Sequence, residues 1–318
     1  MNRTRSLEQL TRADIPFAGT KAGALGELLR AGFAIPPGFV LSTTAYAELI
    51  QPLRSRIDAR LTPDVIMDPA EIEAAATEIR EWIEGATWPG DLEAELDAAL
   101  KSIAVGEPLA SYAARTSVAS DDLATAFGSG VERAYLGLVG LEALERAAAR
   151  CWGALWNSRA MYYRHRKNIR QTDVALAVLV QPMIRADAAG VMFTTSQVNG
   201  NADEIQIDSI WGLGAPLTSA RVRPDRFRFS KKQGAILDRE IVEKSVQVIV
   251  TQDGRTEQQA VAAELVEAPS LTDGQVTSLA ALGQSIEKLF GAPQDIEWAR
   301  VGEKFLILQS RPIALRKA

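Results

Sequence analysis

The chain has 318 residues, 47% hydrophobic and 24% charged, enough for a large core and for two lobes. Its 35 basic and 40 acidic residues leave a net charge of −5, which excludes a global basic field for nucleic acid or anionic membrane, so any phosphate must be held by locally placed cations. One cysteine, Cys151, and one histidine, His165, exclude an internal disulfide, a CxxC metal pair and a His-rich metal centre, while the absence of an apolar leader or a long apolar run fits a cytoplasmic protein.

In chain order, Leu25, Leu28 and Leu29 form one stripe and predict a helix over residues 21–31. Ahead of them, Gly19-Thr20-Lys21-Ala22-Gly23 places small residues and a lysine at a helix start. Free N–H groups there, with Lys21, suit a phosphate, although the spacing is not that of a P-loop. An ordinary glycine-rich helix start gives the same pattern. Gly32 and Pro36-Pro37-Gly38 end the helix, a short strand follows at 39–41, and Ser42 caps a helix through Tyr46 and Leu49. Residues 69–85 and 89–103 read as amphipathic surface helices, each opening on proline. Arg115-Thr116-Ser117, followed by Asp121-Asp122, offers a cation and hydroxyls to a phosphate, or acids to a helix cap. Gly128-Ser129-Gly130 is a flexible turn able to fold over a ligand, or a plain loop. A single helix is expected over 141–168, with Cys151 in its apolar face and His165 near its solvated, basic end.

From residue 174 the pattern changes. The apolar run 174–183 reads as a buried strand ending in Gln181-Pro182-Met183, where an amide beside a thioether suits an adenine slot. Strands are expected at 189–195, 204–210, 226–230, 246–251, 295–300 and 305–310, with a helix at 276–290. The fold class is therefore α+β with two lobes, 1–170 mainly helical and 171–318 strand-rich, and a ligand cleft is expected between them.

The last hairpin carries the densest chemistry. Asp295 and Glu297 share one strand face, as do Gln309 and Arg311 on the next strand. A three-residue loop at 302–304 places Glu297 opposite Gln309 and Asp295 opposite Arg311, whereas a two-residue turn would set Glu297 against Leu308. The first register gathers oxygen ligands fit for Mg²⁺ beside a guanidinium fit for a phosphate. A solvated strand face with a cross-strand Asp–Arg pair accounts for the same pattern.

Five ordered segments, GTKAGALGELLRAGFAIPPGFVLSTTAY, ARTSVASDDL, VLVQPMIRADAAGVMFT, IDSIWGLG and QDIEWARVGEKFLILQSRPI, make the chain resemble the N-terminal ATP-binding module of phosphoenolpyruvate synthase, pyruvate phosphate dikinase and rifampin phosphotransferase. The resemblance implies an ATP-grasp-like fold with the nucleotide cleft between the lobes, and ATP and Mg²⁺ as cofactors. It puts nucleotide contacts on Lys21, Arg115, Gln181, Met183, Glu297, Gln309 and Arg311, and a phosphate-covering loop on Gly128, Ser129 and Gly130. It puts magnesium on Asp295, Glu297 and Gln309, with Lys21, Arg115 and Arg311 neutralising the triphosphate during catalysis. Relatives split ATP to AMP and pass a pyrophosphoryl group to a histidine on a mobile domain; His165 matches no such motif. The expectation is an ATP-dependent phosphotransferase component serving a histidine on a separate partner protein, which in turn serves a small-molecule acceptor. A self-contained ATP-grasp kinase or ligase and a non-catalytic nucleotide-binding module are the alternatives. Ala215, Ala220 and Ala134 stand where the resemblance expects an acid, a glycine and a threonine.

Overall fold

A computed structural model describes residues 3–104, 111–119, 131–196, 200–218 and 222–313. The chain divides into two units, the first Met1–Glu27 with Pro37–Met183, the second Leu28–Pro36 with Ile184–Ala318. The expected boundary at 170/171 thus moves to 183/184. The reason is pairing: the apolar strand beyond residue 174 lies between two strands of the first unit.

In the first unit, strands β1 (Thr4–Ser6), β2 (Phe39–Leu41), β3 (Ser111–Val118), β4 (Ala134–Val139) and β5 (Leu176–Pro182) form an antiparallel sheet of order β1-β2-β5-β3-β4. Its helices are α1 (Ile15–Arg30), α2 (Thr43–Ile50), α3 (Arg54–Arg60), α4 (Pro63–Met67), α5 (Pro69–Glu84), α6 (Gly90–Ile103), α7 (Leu141–Gly153) and α8 (Ser158–Arg166). Alternate strand residues Phe39, Leu41, Ala114, Val118, Leu176, Val178 and Val180 join the buried cores of α2, α5, α6 and α7. The expected single helix over 141–168 is two: the chain leaves α7 at Gly153, and the Asn157 side chain accepts from the Ala160 N–H at 2.8 Å to cap α8. The break admits a buried aromatic centre. Trp152 stacks on Trp88 with ring centroids 5.3 Å apart, and the Trp156 indole donates to the Tyr46 hydroxyl at 3.0 Å. Arg164 is fully buried there, donating to Gln171 Oε1 at 2.7 Å and the Leu155 carbonyl at 2.8 Å, and burial lowers its pKa to about 10. Burial likewise raises the Cys151 thiol, which places it in the core as expected.

The second unit contains β6 (Ala188–Phe193), β7 (Glu204–Trp211), the short α9 (Ala215–Thr218), β8 (Asp225–Ser230), β9 (Ala235–Glu240), β10 (Val246–Val250), β11 (Thr256–Ala260), α10 (Asp273–Phe290), β12 (Gln294–Val301) and β13 (Lys304–Pro312). The main sheet runs β13-β12-β6-β7-β8-β9, and β10-β11 is a separate hairpin. Ile296, Met192, Ile207 and Phe227 are cross-strand neighbours, all fully buried. Helix α10 covers that face, with Gly283 against the Met192 thioether, whose end would have to shift to admit a Cβ there. Asp225, also buried, accepts from Lys244 Nζ at 2.6 Å, the Val242 N–H at 3.1 Å, and the Ser270 N–H and hydroxyl at 2.8 and 2.7 Å. A buried carboxylate is tolerable when paired and saturated with hydrogen bonds in this way. No helix among the described residues is long and apolar enough to cross a membrane.

Glu145 on α7 is the opposite case. Its Oε1 is buried with no hydrogen-bond partner among the described residues, and burial, with Glu93 and Glu142 nearby, raises its pKa. A carboxyl whose folded pKa is raised costs stability when ionised; the cost is full above the folded pKa and vanishes as pH falls below the unfolded value. Glu145→Gln should therefore raise Tm at about pH 8, and the gain over wild type should shrink to nothing on acidification. A pH-independent difference in differential scanning fluorimetry would contradict this.

Candidate functional site

In the first unit the candidate residues gather on the sheet face opposite the helical core. Arg115 and Ser117 alternate with the buried Thr116, and Gln181 pairs with Ala113 at the end of β5. Arg115 therefore lies on a strand, in a segment for which the sequence reading names no strand. The glycine-rich segment seats α1 on this face. Gly19 adopts φ 79 and breaks α1, so Lys21 falls in the first turn after the kink. The Ala22 N–H of that turn donates to Ser117 Oγ at 3.2 Å, so β3 itself caps the new helix start. A Cβ on Gly19 would lie 2.2 Å from the Ser117 carbonyl oxygen. Thr116 bonds the backbone of Arg133, its N–H donating to the Arg133 carbonyl at 3.0 Å and its hydroxyl accepting from the Arg133 N–H at 3.0 Å. That leaves Ala134 in register with Arg115. Gln181 is 5% exposed, and the Met183 N–H donates to the Ser111 carbonyl at 2.8 Å, fixing the strand end expected to face a purine.

In the second unit the hairpin has the expected partners by an unexpected route. Glu297 pairs with Gln309 and Asp295 with Arg311, but Val301 pairs with Lys304, so the turn has two residues, Gly302 and Glu303. Positive φ is confined to its first residue, Gly302 at 56°, as in a type II′ turn. The register is restored by a β-bulge: β12 steps from Trp298 to Glu297 while β13 steps from Ile307 to Gln309, with Leu308 extra. The expected three-residue loop at 302–304 is thereby corrected.

Arg311 Nε donates to Asp295 Oδ2 at 2.8 Å; the guanidinium is 54% exposed and the carboxylate 15%. Gln309 is 4% exposed, and its Oε1 has no hydrogen-bond partner among the described residues. A buried orphan acceptor beside two carboxylates is a donor set that fits a hard cation, so these residues pass the chemical test for magnesium. Among the described residues there is no cluster of three or more His, Cys, Asp or Glu side chains that could hold a metal.

The same face extends further than the sequence reading took it. One cross-strand row runs Gln309, Glu297, Val191, Asp208, Arg226, and the next runs Arg311, Asp295, Phe193, Gln206, Arg228. Arg226 grips Asp208 with two bonds of 2.8 and 2.9 Å, which raises its pKa further. The signal was present as alternation: Gln206 and Asp208 flank Ile207, and Arg226 and Arg228 flank Phe227. Gly128, Ser129, Gly130 and Ala220 lie outside the described residues, and Ala215 opens α9. His165 stands in the last turn of α8 with Arg164 and Arg166, part-exposed.

Two antiparallel sheets, each with a helix-covered face and a more polar opposite face, define an α+β protein. Residues 15–318 match the pyruvate phosphate dikinase AMP/ATP-binding domain, and the chain belongs to that family. It is 37% identical to a rifampicin phosphotransferase of Streptomyces sviceus over 96% of its length, covering 35% of that protein. It is 34% identical to a probable phosphoenolpyruvate synthase of Methanocaldococcus jannaschii over 98% of its length, covering 26% of that protein. With the phosphoenolpyruvate synthase of Pyrococcus furiosus the identity is 31%, covering 98% of this chain and 43% of that one. The chain thus spans between about a quarter and under half of these relatives.

Because Gly19 has both a positive φ and no space for a Cβ, Gly19→Ala should displace the start of α1 from β3. The expected cost is about 1–3 kcal/mol from the backbone conformation alone, and overpacking against Ser117 adds to it. Chemical denaturation of the two proteins side by side checks this; equal midpoints would show that the kink carries no strain.

Proposed function

We propose that this domain binds Mg–ATP in an ATP-grasp-like manner and works as the ATP-splitting component of a phosphotransferase. The observation that carries the reading is the gathering of Asp295, Glu297, Gln309 and Arg311 on one sheet face, with a buried Gln309 oxygen that has no hydrogen-bond partner among the described residues. Membership of an AMP/ATP-binding family supports it. Asp295, Glu297 and Gln309 would hold magnesium, which when bound supplies positive charge to the phosphate oxygens. Lys21, Arg115 and Arg311 neutralise the triphosphate, and Gln181 and Met183 border the base. The glycine-rich segment 128–130 would cover the phosphates. Catalysis by such residues is positioning and electrostatic stabilisation of in-line phosphoryl transfer. Arg311 is held in place for this by Asp295, and Lys21 by the Gly19 kink.

The receiving group in our reading is a histidine on a separate partner protein, which then delivers the phosphoryl or pyrophosphoryl group to a small-molecule acceptor. The named relatives, a rifampicin phosphotransferase and phosphoenolpyruvate synthases, extend well beyond the aligned region and support an acceptor outside it. We place the protein in the cytoplasm, where ATP is abundant and the single thiol stays reduced. One observation favours a second reading, nucleotide binding without turnover: Ala134 lies in register with Arg115, where a threonine hydroxyl would have stood beside the phosphates.

Calorimetry with Mg–ATP should show Arg311→Ala and Glu297→Ala each weakening affinity by about 10- to 100-fold, the scale of a lost charge-assisted contact. Unchanged affinity in both would remove the site assignment. Nucleotide product analysis then separates the activities. AMP appearing only with an added phosphohistidine-domain protein supports the partner reading, and AMP from the chain alone refutes it. Metabolite-dependent ADP identifies a self-contained kinase or ligase, and tight binding with no product identifies a non-catalytic module.

A further inference from the structure

We propose that the Leu308 bulge is the positioning device of the magnesium–phosphate site, aiming Gln309 and Arg311 at the ligand; this rests on the Mg–ATP reading above and deepens it. From the turn to Trp298–Ile307 the hairpin ladder is regular. Continued without a bulge, it would pair Gln309 with Ile296 and Arg311 with Gln294, residues that are both fully buried. A one-residue slip moves every later side chain to the other face, so amide and guanidinium would then face α10 instead of the polar side. Looping Leu308 out of the ladder prevents this.

Register alone does not require it. A β13 lacking Leu308 would run from Ile307 straight to Gln309, and would still oppose Gln309 to Glu297 and Arg311 to Asp295 on the polar face. What Leu308 adds beyond register is local bend and twist, placed where Glu297 and Gln309 meet. The result is visible at Gln309, whose Oε1 is buried yet bonded to no described residue. A side chain left to its neighbours would satisfy that acceptor; one aimed at a cation would not. Leu308 acts through Gln309 and Arg311 and touches no reacting atom.

Deleting Leu308 therefore removes the bend while keeping partners and faces. Calorimetry compares wild type, the Leu308 deletion, Leu308→Ala and Glu297→Ala, each with ATP in Mg²⁺ and with ATP in EDTA. The deletion should weaken Mg–ATP at least about 10-fold while metal-free ATP changes less than about 2-fold, because metal geometry tolerates little misplacement. Leu308→Ala keeps the bulge and should stay within about 3-fold of wild type in both conditions. Wild-type affinity in the deletion, or equal losses with and without metal, overturns the proposal. If the deletion does not fold, Leu308→Gly replaces it, since glycine loosens the same backbone. A loss confined to Mg–ATP relative to Leu308→Ala then supports the proposal, and equal affinity overturns it. A wild-type chain that binds no ATP overturns this proposal and the function together. A wild type whose Mg²⁺ dependence is lost in Glu297→Ala but kept in the deletion overturns only the role of the bulge.

Discussion

Along an antiparallel strand, what one face buries decides what the other face displays. Both units of this chain depend on that constraint. In the first, Ala114, Thr116 and Val118 must go to the helical core, so Arg115 and Ser117 must emerge on the opposite side. In the second, Ile296 and Trp298 are claimed by the core, so Asp295 and Glu297 are displayed. The candidate residues are thus placed on their faces by the hydrophobic pattern of their neighbours. A net-acidic chain with no basic field can in this way present lysine and arginine locally, where backbone geometry holds them.

Much of this was legible in the sequence because alternation is a local property. The strands at 39–41, 204–210 and 295–310, the Ser42 cap, and the helices at 69–85 and 276–290 carry period-two or period-3.6 signals within a few residues. The readings that failed involve non-local choices. Residues 111–118, with their small and hydroxyl side chains, are assigned no strand from sequence, yet β3 pairs with the central strand β5, and its hydroxyls are spent on capping α1 and bonding Arg133. The break between α7 and α8 is invisible to periodicity, since Trp152 and Trp156 suit one helix as well as two. The unit boundary was misplaced because composition changes at 174, whereas pairing changes at 183.

The hairpin shows how a correct conclusion can be reached through a wrong intermediate. Sensible partners were required for Glu297 and Asp295, and only a three-residue loop seemed to provide them. The chain instead combines a two-residue turn, favoured by strand twist, with one inserted residue five positions further along. Sequence patterns fix face and partner, but they do not reveal where along a strand a residue has been added.

Asp225 invites a different kind of conclusion. Its four hydrogen bonds fasten residues 17, 19 and 45 positions away in the chain. Lys244 and Ser270, which bracket the β10-β11 hairpin, are held at the same carboxylate, so the hairpin leaves and re-enters the unit at one clasped point. The middle of its first strand is further tied where the Leu213 N–H donates to the Val248 carbonyl at 2.8 Å. In evolutionary terms such a clasp makes the hairpin tip around Thr251–Arg255 a modular position. Loop length is cheap there, about 0.6 kcal/mol per doubling, and chain can be gained or lost without disturbing the strands that carry Asp295 and Glu297.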